Sequence, residues 1–85
     1  MLVIICYDIP KNKIRSRLVK YLERIAVRIQ YSVFIGDLER EQINELKSYA
    51  SDLFGGNREN DLQVFALRDA DWAREKYLPA RHIYI

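Results

Sequence analysis

Asp8 stands at the C-terminal end of an apolar run, Leu2 to Tyr7. A carboxylate at a strand end is a hard oxygen donor. It suits Mg²⁺, which keeps several waters and takes one or two carboxylates plus substrate phosphates. A metal held there generates hydroxide and neutralises a phosphoryl oxygen during phosphodiester cleavage. The local alternative is a turn residue before Pro10 that bonds nearby backbone. One aspartate is a sparse metal site, but a two-fold dimer brings two copies together. Asp8 shares strand parity with Leu2, Ile4 and Cys6. The two copies meet if that parity faces a partner.

A second constellation is cationic. Lys13, Arg17, Lys20 and Arg24 recur at helical spacing, and on a helical wheel they fall within about 60° of one another. Glu23 points elsewhere on the wheel, so no acid interleaves the stripe. Such a face is either a solvated surface or a track for a nucleic-acid backbone, bound without base specificity. Arg28 and Phe34 share a strand parity, where each contacts a nucleic acid or simply packs. Ser/His/Asp sets, a Walker loop, GxGxxG, HExxH and CxxC are all missing from the sequence. His82, the single histidine, lies in an apolar tail and reads as an edge residue rather than a base. Cys6 sits in an apolar run and reads as a small buried hydrophobe.

Charge partition supports the cationic reading. The whole chain carries 14 Lys+Arg against 12 Asp+Glu, a balance that points to no partner. Residues 11–28, however, hold seven cations against Glu23, a net of +6. Residues 37–52 carry a net of −3. A localised basic element is a candidate phosphate surface, whereas an even spread is not.

These residues need elements to position them. Leu2 to Tyr7 is β-branched and apolar, a buried strand stopped by Asp8-Ile9-Pro10. Asn12 is the expected N-cap of a first helix. Its apolar stripe is Ile14, Leu18, Tyr21, Leu22 and Ile25, and it ends near Ala26. Residues 27–38 alternate and form two short strands with a bend near Tyr31. Asp37, Glu39 and Glu41 open a second helix, with Ile43, Leu46, Tyr49, Ala50 and Leu53 as its stripe. Gly55-Gly56-Asn57 stops it. Leu62 to Leu67 is another strand, Asp71 to Leu78 a helical turn, and His82 to Ile85 a tail strand.

The order β-α-β-β-α-β is the split βαβ, ferredoxin-like arrangement. The expected fold is therefore α+β: a single domain over residues 1–85, with an antiparallel sheet and two helices on one face. A sheet face left to solvent should alternate apolar and polar. The first strand is apolar on both parities, so its open face needs a cover. A homodimer packed through the open faces supplies one, with the C-terminal strand exchanged onto the partner's sheet edge. An 85-residue chain has a thin core, which favours such association. The opening residues MLVIICYD are too short to span a membrane and no basic segment precedes them, so a cytoplasmic location is expected.

With these residues assembled, the chain resembles the CRISPR-associated protein two family, the small subunit of CRISPR adaptation. The resemblance covers roughly residues 1–70. It rests on Ile5-Cys6-Tyr7-Asp8-Ile9, on Arg15 and Arg17, and on Arg28-Ile29-Gln30-Tyr31-Ser32-Val33-Phe34 followed by Gly36, Leu38 and an acidic-start helix. It implies a ferredoxin-like homodimer with Asp8 binding Mg²⁺. It also implies that Tyr7, Arg15, Arg17, Arg28 and Phe34 match positions tied to nuclease activity. The resemblance thus makes Asp8, Tyr7 and Phe34 candidate catalytic residues. Arg15, Arg17 and Arg28, with Lys13, Lys20 and Arg24 from the stripe, become candidate nucleic-acid contacts. Members act as metal-dependent endonucleases on RNA or DNA, or as non-catalytic scaffolds that hold duplex DNA beside the CRISPR integrase. A VapD-type ribonuclease toxin, related in fold and in the strand-end Asp, stays open as an alternative, whereas an RNA-recognition module would carry an RNP1-like string and none is visible.

Overall fold

The computed structural model describes residues 1–67. The expected helical turn at 71–78, the tail strand at 82–85 and His82 lie outside them. Six elements follow in the expected order: β1 (Leu2–Asp8), α1 (Asn12–Glu23), β2 (Val27–Gln30), β3 (Val33–Asp37), α2 (Arg40–Phe54) and β4 (Asp61–Leu67). The strands lie in the order β2-β3-β1-β4, and every neighbouring pair is antiparallel. That is the ferredoxin-like sheet.

β1 is central, and its two parities face different surroundings. Val3, Ile5 and Tyr7 pack in one cluster with Ile9, Leu18 and Leu22 from the α1 side, Leu46 of α2, Phe34 and Leu38. Both helices therefore lie on this face. Val3, Ile5, Leu18, Leu22, Phe34 and Leu46 are fully buried. Each such aliphatic or aromatic side chain contributes about 1.5–3 kcal/mol by leaving water. The other parity forms a row straight across the sheet. Val27 pairs with Ile35, Ile35 with Ile4, and Ile4 with Phe65. The ends of that row stay open to solvent, Val27 at 67% and Phe65 at 49%. Among the described residues no helix covers it.

Several local expectations are corrected. Lys11, in extended conformation, caps α1 without a side-chain bond, and Asn12 is the first helical residue. The helix ends at Glu23 rather than near Ala26. The expected bend near Tyr31 is present as the Tyr31-Ser32 turn between the two short strands, with Ser32 at φ 67°, and a register irregularity lies between Arg28 and Gln30. In α2, Gln42 Oε1 accepts the Glu39 backbone N–H at 2.9 Å, a capping-box bond. Gly55 closes that helix in the left-handed region at φ 57°. No helix among the described residues is long and apolar enough to cross a membrane.

Gly36 on β3 meets the chain that follows α1. A Cβ added there would lie 3.0 Å from both the Ala26 Cβ and the Ile25 carbonyl oxygen. The contact is largely with backbone, which cannot yield cheaply. Gly36→Ala is expected to destabilise the chain by about 1–3 kcal/mol in urea denaturation. An unchanged midpoint would show that the α1–β2 connection shifts freely.

Candidate active-site cleft

The C-terminal end of β1 opens into a cleft of about 600 Å³. Its walls are the β1–α1 loop (Ile9, Pro10), the Tyr31-Ser32 turn, Arg15 of α1, and Asp61 and Gln63 of β4. The Tyr7 backbone N–H donates to the Ser32 carbonyl at 3.1 Å, which ties the β2–β3 turn to this end of β1. Asp8 is exposed and lies directly across the ladder from Asp61. Like charges placed opposite one another repel, and a bound cation relieves the repulsion. Gln63 Nε2 donates to Asp61 Oδ2 at 3.2 Å, leaving the other oxygen of that carboxylate available.

Asp61 was not among the residues singled out from sequence. Its only signal is an acid at the start of the fourth strand, which means little until register sets it opposite Asp8. The donor set fits Mg²⁺: two exposed carboxylates in a wide, water-accessible cleft, with room for waters and phosphate oxygens. No group of three or more His, Cys, Asp or Glu converges among the described residues, so a closed zinc-type cage is not offered there.

The other expected site residues divide. Arg15 does line the cleft, but its guanidinium is committed to the loop. Nη1 donates to the Ile9 carbonyl at 2.8 Å and Nη2 bonds Asn12 Oδ1. It therefore braces the backbone that follows Asp8 and is not a free phosphate clamp. Phe34, expected as catalytic, is fully buried in the core and presents no surface to a substrate. Its ring supports Arg28, whose guanidinium lies 5.2 Å above it, a cation–π contact. Tyr7 packs beside Phe34 with ring centroids 6.3 Å apart. Tyr7 is only 6% exposed, and its hydroxyl has no hydrogen-bond partner among the described residues. Burial pushes the phenol's pKa up, while the nearby positive charge of Arg28 pulls against it. Cys6, expected to be buried, is half-exposed on the face away from the helices. Burial still pushes its thiol pKa up.

Lys13, Arg17 and Lys20 on α1 and Arg24 at its C-cap are all exposed, as the wheel requires. None of them makes an ion pair among the described residues. They do not line the Asp8 cleft. Arg17, Lys20 and Arg24 instead border a separate groove of about 270 Å³ against α2, floored by Tyr21 and Tyr49. Both tyrosines had been read only as members of apolar stripes.

Comparison with known proteins bears on the family and the fold. The family described as CRISPR associated protein Cas2 matches residues 1–75. A CRISPR-associated endoribonuclease Cas2 of Thermus thermophilus is 42% identical over 60 residues, 71% of this chain and 62% of that protein. A Synechocystis relative of the same description is 33% identical over 66 residues, 78% of this chain and 71% of its own length. One from Methanospirillum hungatei is 38% identical over 47 residues, covering 54% and 50%. The matched stretch thus spans half to seven-tenths of these relatives. The crystal structure of Streptococcus pyogenes Cas2 shares the fold, with a TM-score of 0.75 at 19% identity over 88% of this chain and 94% of that one. A hypothetical protein from Thermus thermophilus superposes at 0.70 with 28% identity, covering 79% and 80%.

The buried Tyr7 phenol has a measurable consequence. Its raised folded-state pKa means the unfolded chain ionises first. The stability this confers is complete below the ordinary tyrosine pKa, about 10, and is lost as pH rises through the folded value. Tyr7→Phe is expected to leave stability at pH 7 unchanged or about 1 kcal/mol higher, since an unpaired buried hydroxyl is removed. It should also flatten the alkaline fall above about pH 10. Guanidinium denaturation across that range checks both, and a marked loss at pH 7 would show that the hydroxyl is satisfied in solution.

Proposed function

The chain belongs to the CRISPR-associated Cas2 family, and from that premise we propose that it is a Mg²⁺-dependent endonuclease of CRISPR adaptation, cleaving phosphodiester bonds in RNA or DNA. One observation carries the reading: the Asp8–Asp61 pair, held face to face across β1 and β4 in an open cleft. Asp8, with Asp61 beside it, is the place for the metal. When bound, Mg²⁺ supplies a nucleophilic hydroxide and charge neutralisation at the phosphoryl oxygen.

This chain's own residues set the stage around that chemistry. Arg15 holds the Ile9 carbonyl and fixes where Asp8 leaves the strand. Arg28, propped on Phe34, is exposed on the β2 edge at the helix-side parity and outside the Asp8 cleft, so it would meet a phosphate away from the metal rather than at it. Tyr7 and Phe34 act through Arg28, as positioning residues beneath it. The apolar row Val27-Ile35-Ile4-Phe65 supports a homodimer joined through the open sheet faces. Asp8 lies on the same parity, so that dimer would bring two clefts toward each other.

A second reading has its own observation. The exposed cations Arg17, Lys20 and Arg24 stand apart from the cleft, as a DNA-holding surface would. In that reading the chain is a non-catalytic scaffold that steadies duplex DNA beside the CRISPR integrase. Family membership favours these two readings over a VapD-type toxin.

Two measurements test them. Cleavage of single-stranded RNA and duplex DNA is expected to need Mg²⁺ and to fall at least about 100-fold in Asp8→Asn, whereas Asp61→Asn should raise the Mg²⁺ requirement by about 10-fold. Activity that survives both Asp8→Asn and chelator sinks the nuclease reading. For the scaffold, Arg17→Glu with Arg24→Glu should weaken duplex binding and shallow its log–log salt slope by about 2. Unchanged binding in that variant would remove the α1 surface from consideration.

A further inference from the structure

The groove between α1 and α2 combines two chemistries. Its rim is cationic: Arg17, Lys20 and Arg24, all exposed and free of ion pairs among the described residues. Its floor is aromatic. The Tyr21 and Tyr49 rings stack at 4.5 Å between centroids and 18° between planes. The Arg24 guanidinium lies 5.5 Å over the Tyr21 ring. The Tyr49 hydroxyl donates to the Arg17 carbonyl at 3.3 Å, which anchors the stack across the two helices. The aromatic surface is thus held in place before any ligand arrives.

We propose that this groove is a separate binding site for single-stranded nucleic acid, taking an unpaired base against the tyrosine–guanidinium surface and flanking phosphates on Arg17 and Lys20. Three arguments select that occupant. Cations on one helix face with no ion pair among the described residues call for a polyanion. Aromatic rings beside them have nothing to stack on in a duplex, whose bases are already stacked and hidden. An unpaired base offers a free π-face, and stacking on aromatic side chains or on an arginine plane is how such bases are held. Finally, a groove of about 270 Å³ is small for a free small-molecule ligand, and suits one nucleotide of a longer strand whose neighbours lie outside.

The tyrosines are closed ring on ring, so the base does not slide between them. It lies against the outside of the stack, where the planar Arg24 guanidinium extends the surface. Arg17, Lys20 and Arg24 follow one another along α1 at three and four residues, steps of about 4.5 and 6 Å. That spacing lets a strand run along the helix with successive phosphates near successive cations. The site shares its cations with the duplex-holding reading but needs neither that reading nor metal at Asp8.

The test separates rings from charges. Fluorescence anisotropy with a labelled oligothymidylate of roughly 12 nucleotides and a blunt duplex of the same length reads both ligands. Tyr21→Leu with Tyr49→Leu is expected to weaken single-strand binding by about 5- to 30-fold, the loss of one stacked base, while duplex binding stays within about 2-fold. Tyr49→Phe, which keeps the ring but loses the hydroxyl's bond to the Arg17 carbonyl, should weaken single-strand binding by less than the double leucine variant does. Arg17→Gln with Lys20→Gln should weaken single-strand binding and shallow its salt slope. In the unaltered chain, the Tyr21 and Tyr49 ring-proton resonances should move upfield on adding oligothymidylate and stay in place with duplex, a readout that needs no variant to fold. Single-strand binding unchanged by the double tyrosine substitution, equal losses for single strand and duplex, or motionless ring resonances would each overturn the proposal.

Discussion

Everything in this small protein hangs on β1 being apolar on both faces and paired on both edges. β3 lies along one edge and β4 along the other, each antiparallel. Val3, Ile5 and Tyr7 enter the helix-side core, and Ile4 anchors the row on the opposite face. A strand so constrained cannot slip by one residue, because a slip would exchange the two faces along its whole length. Its register therefore delivers Asp8 to a fixed point, opposite Asp61, at the edge of the core.

The cleft at that point is organised by backbone bonds as much as by side chains. The Tyr7 N–H to Ser32 bond brings the β2–β3 turn alongside, and Arg15 pins the loop after Asp8 through the Ile9 carbonyl. Two carboxylates then face one another in a wide opening without a cation among the described residues to separate them. Two exposed carboxylates at opposed ladder positions are hard oxygen donors, and they are the structural reason for reading the cleft as a metal site. The α1–α2 groove rests on a different logic. There the cations make no ion pair among the described residues, and a tyrosine stack is held ready beside them. Acidic and basic functions are thus kept in separate clefts, where neither neutralises the other.

Much of the fold was legible in the sequence because each element obeys its own period. The stripe Ile14, Leu18, Leu22 could only be one helix face, and Gly55 could only end α2 cheaply. Local chemistry misled where two plausible residues competed. Asn12 looked like a cap, yet its side chain is bound to Arg15, leaving Lys11 in the capping position. Phe34 alternates with Arg28, and alternation cannot tell a ring that meets substrate from a ring that supports the residue meeting it. Burial decides that, and Phe34 has no exposed surface.

The sequence by itself determined the element order, the ferredoxin-like class, the position of Asp8 at a strand end and the basic character of α1. All four follow from interactions between residues a few positions apart, where periodicity, turn residues and charge runs are visible in one dimension. Only the tertiary structure decided that Asp61 stands across from Asp8, that Arg15 serves the loop, and that Tyr21 and Tyr49 join beside Arg17, Lys20 and Arg24. The first and last are contacts between residues 53 and 28 positions apart, and the second is a choice among competing local partners. Strand register and helix packing set them, and both depend on how the whole core closes rather than on any local string of residues.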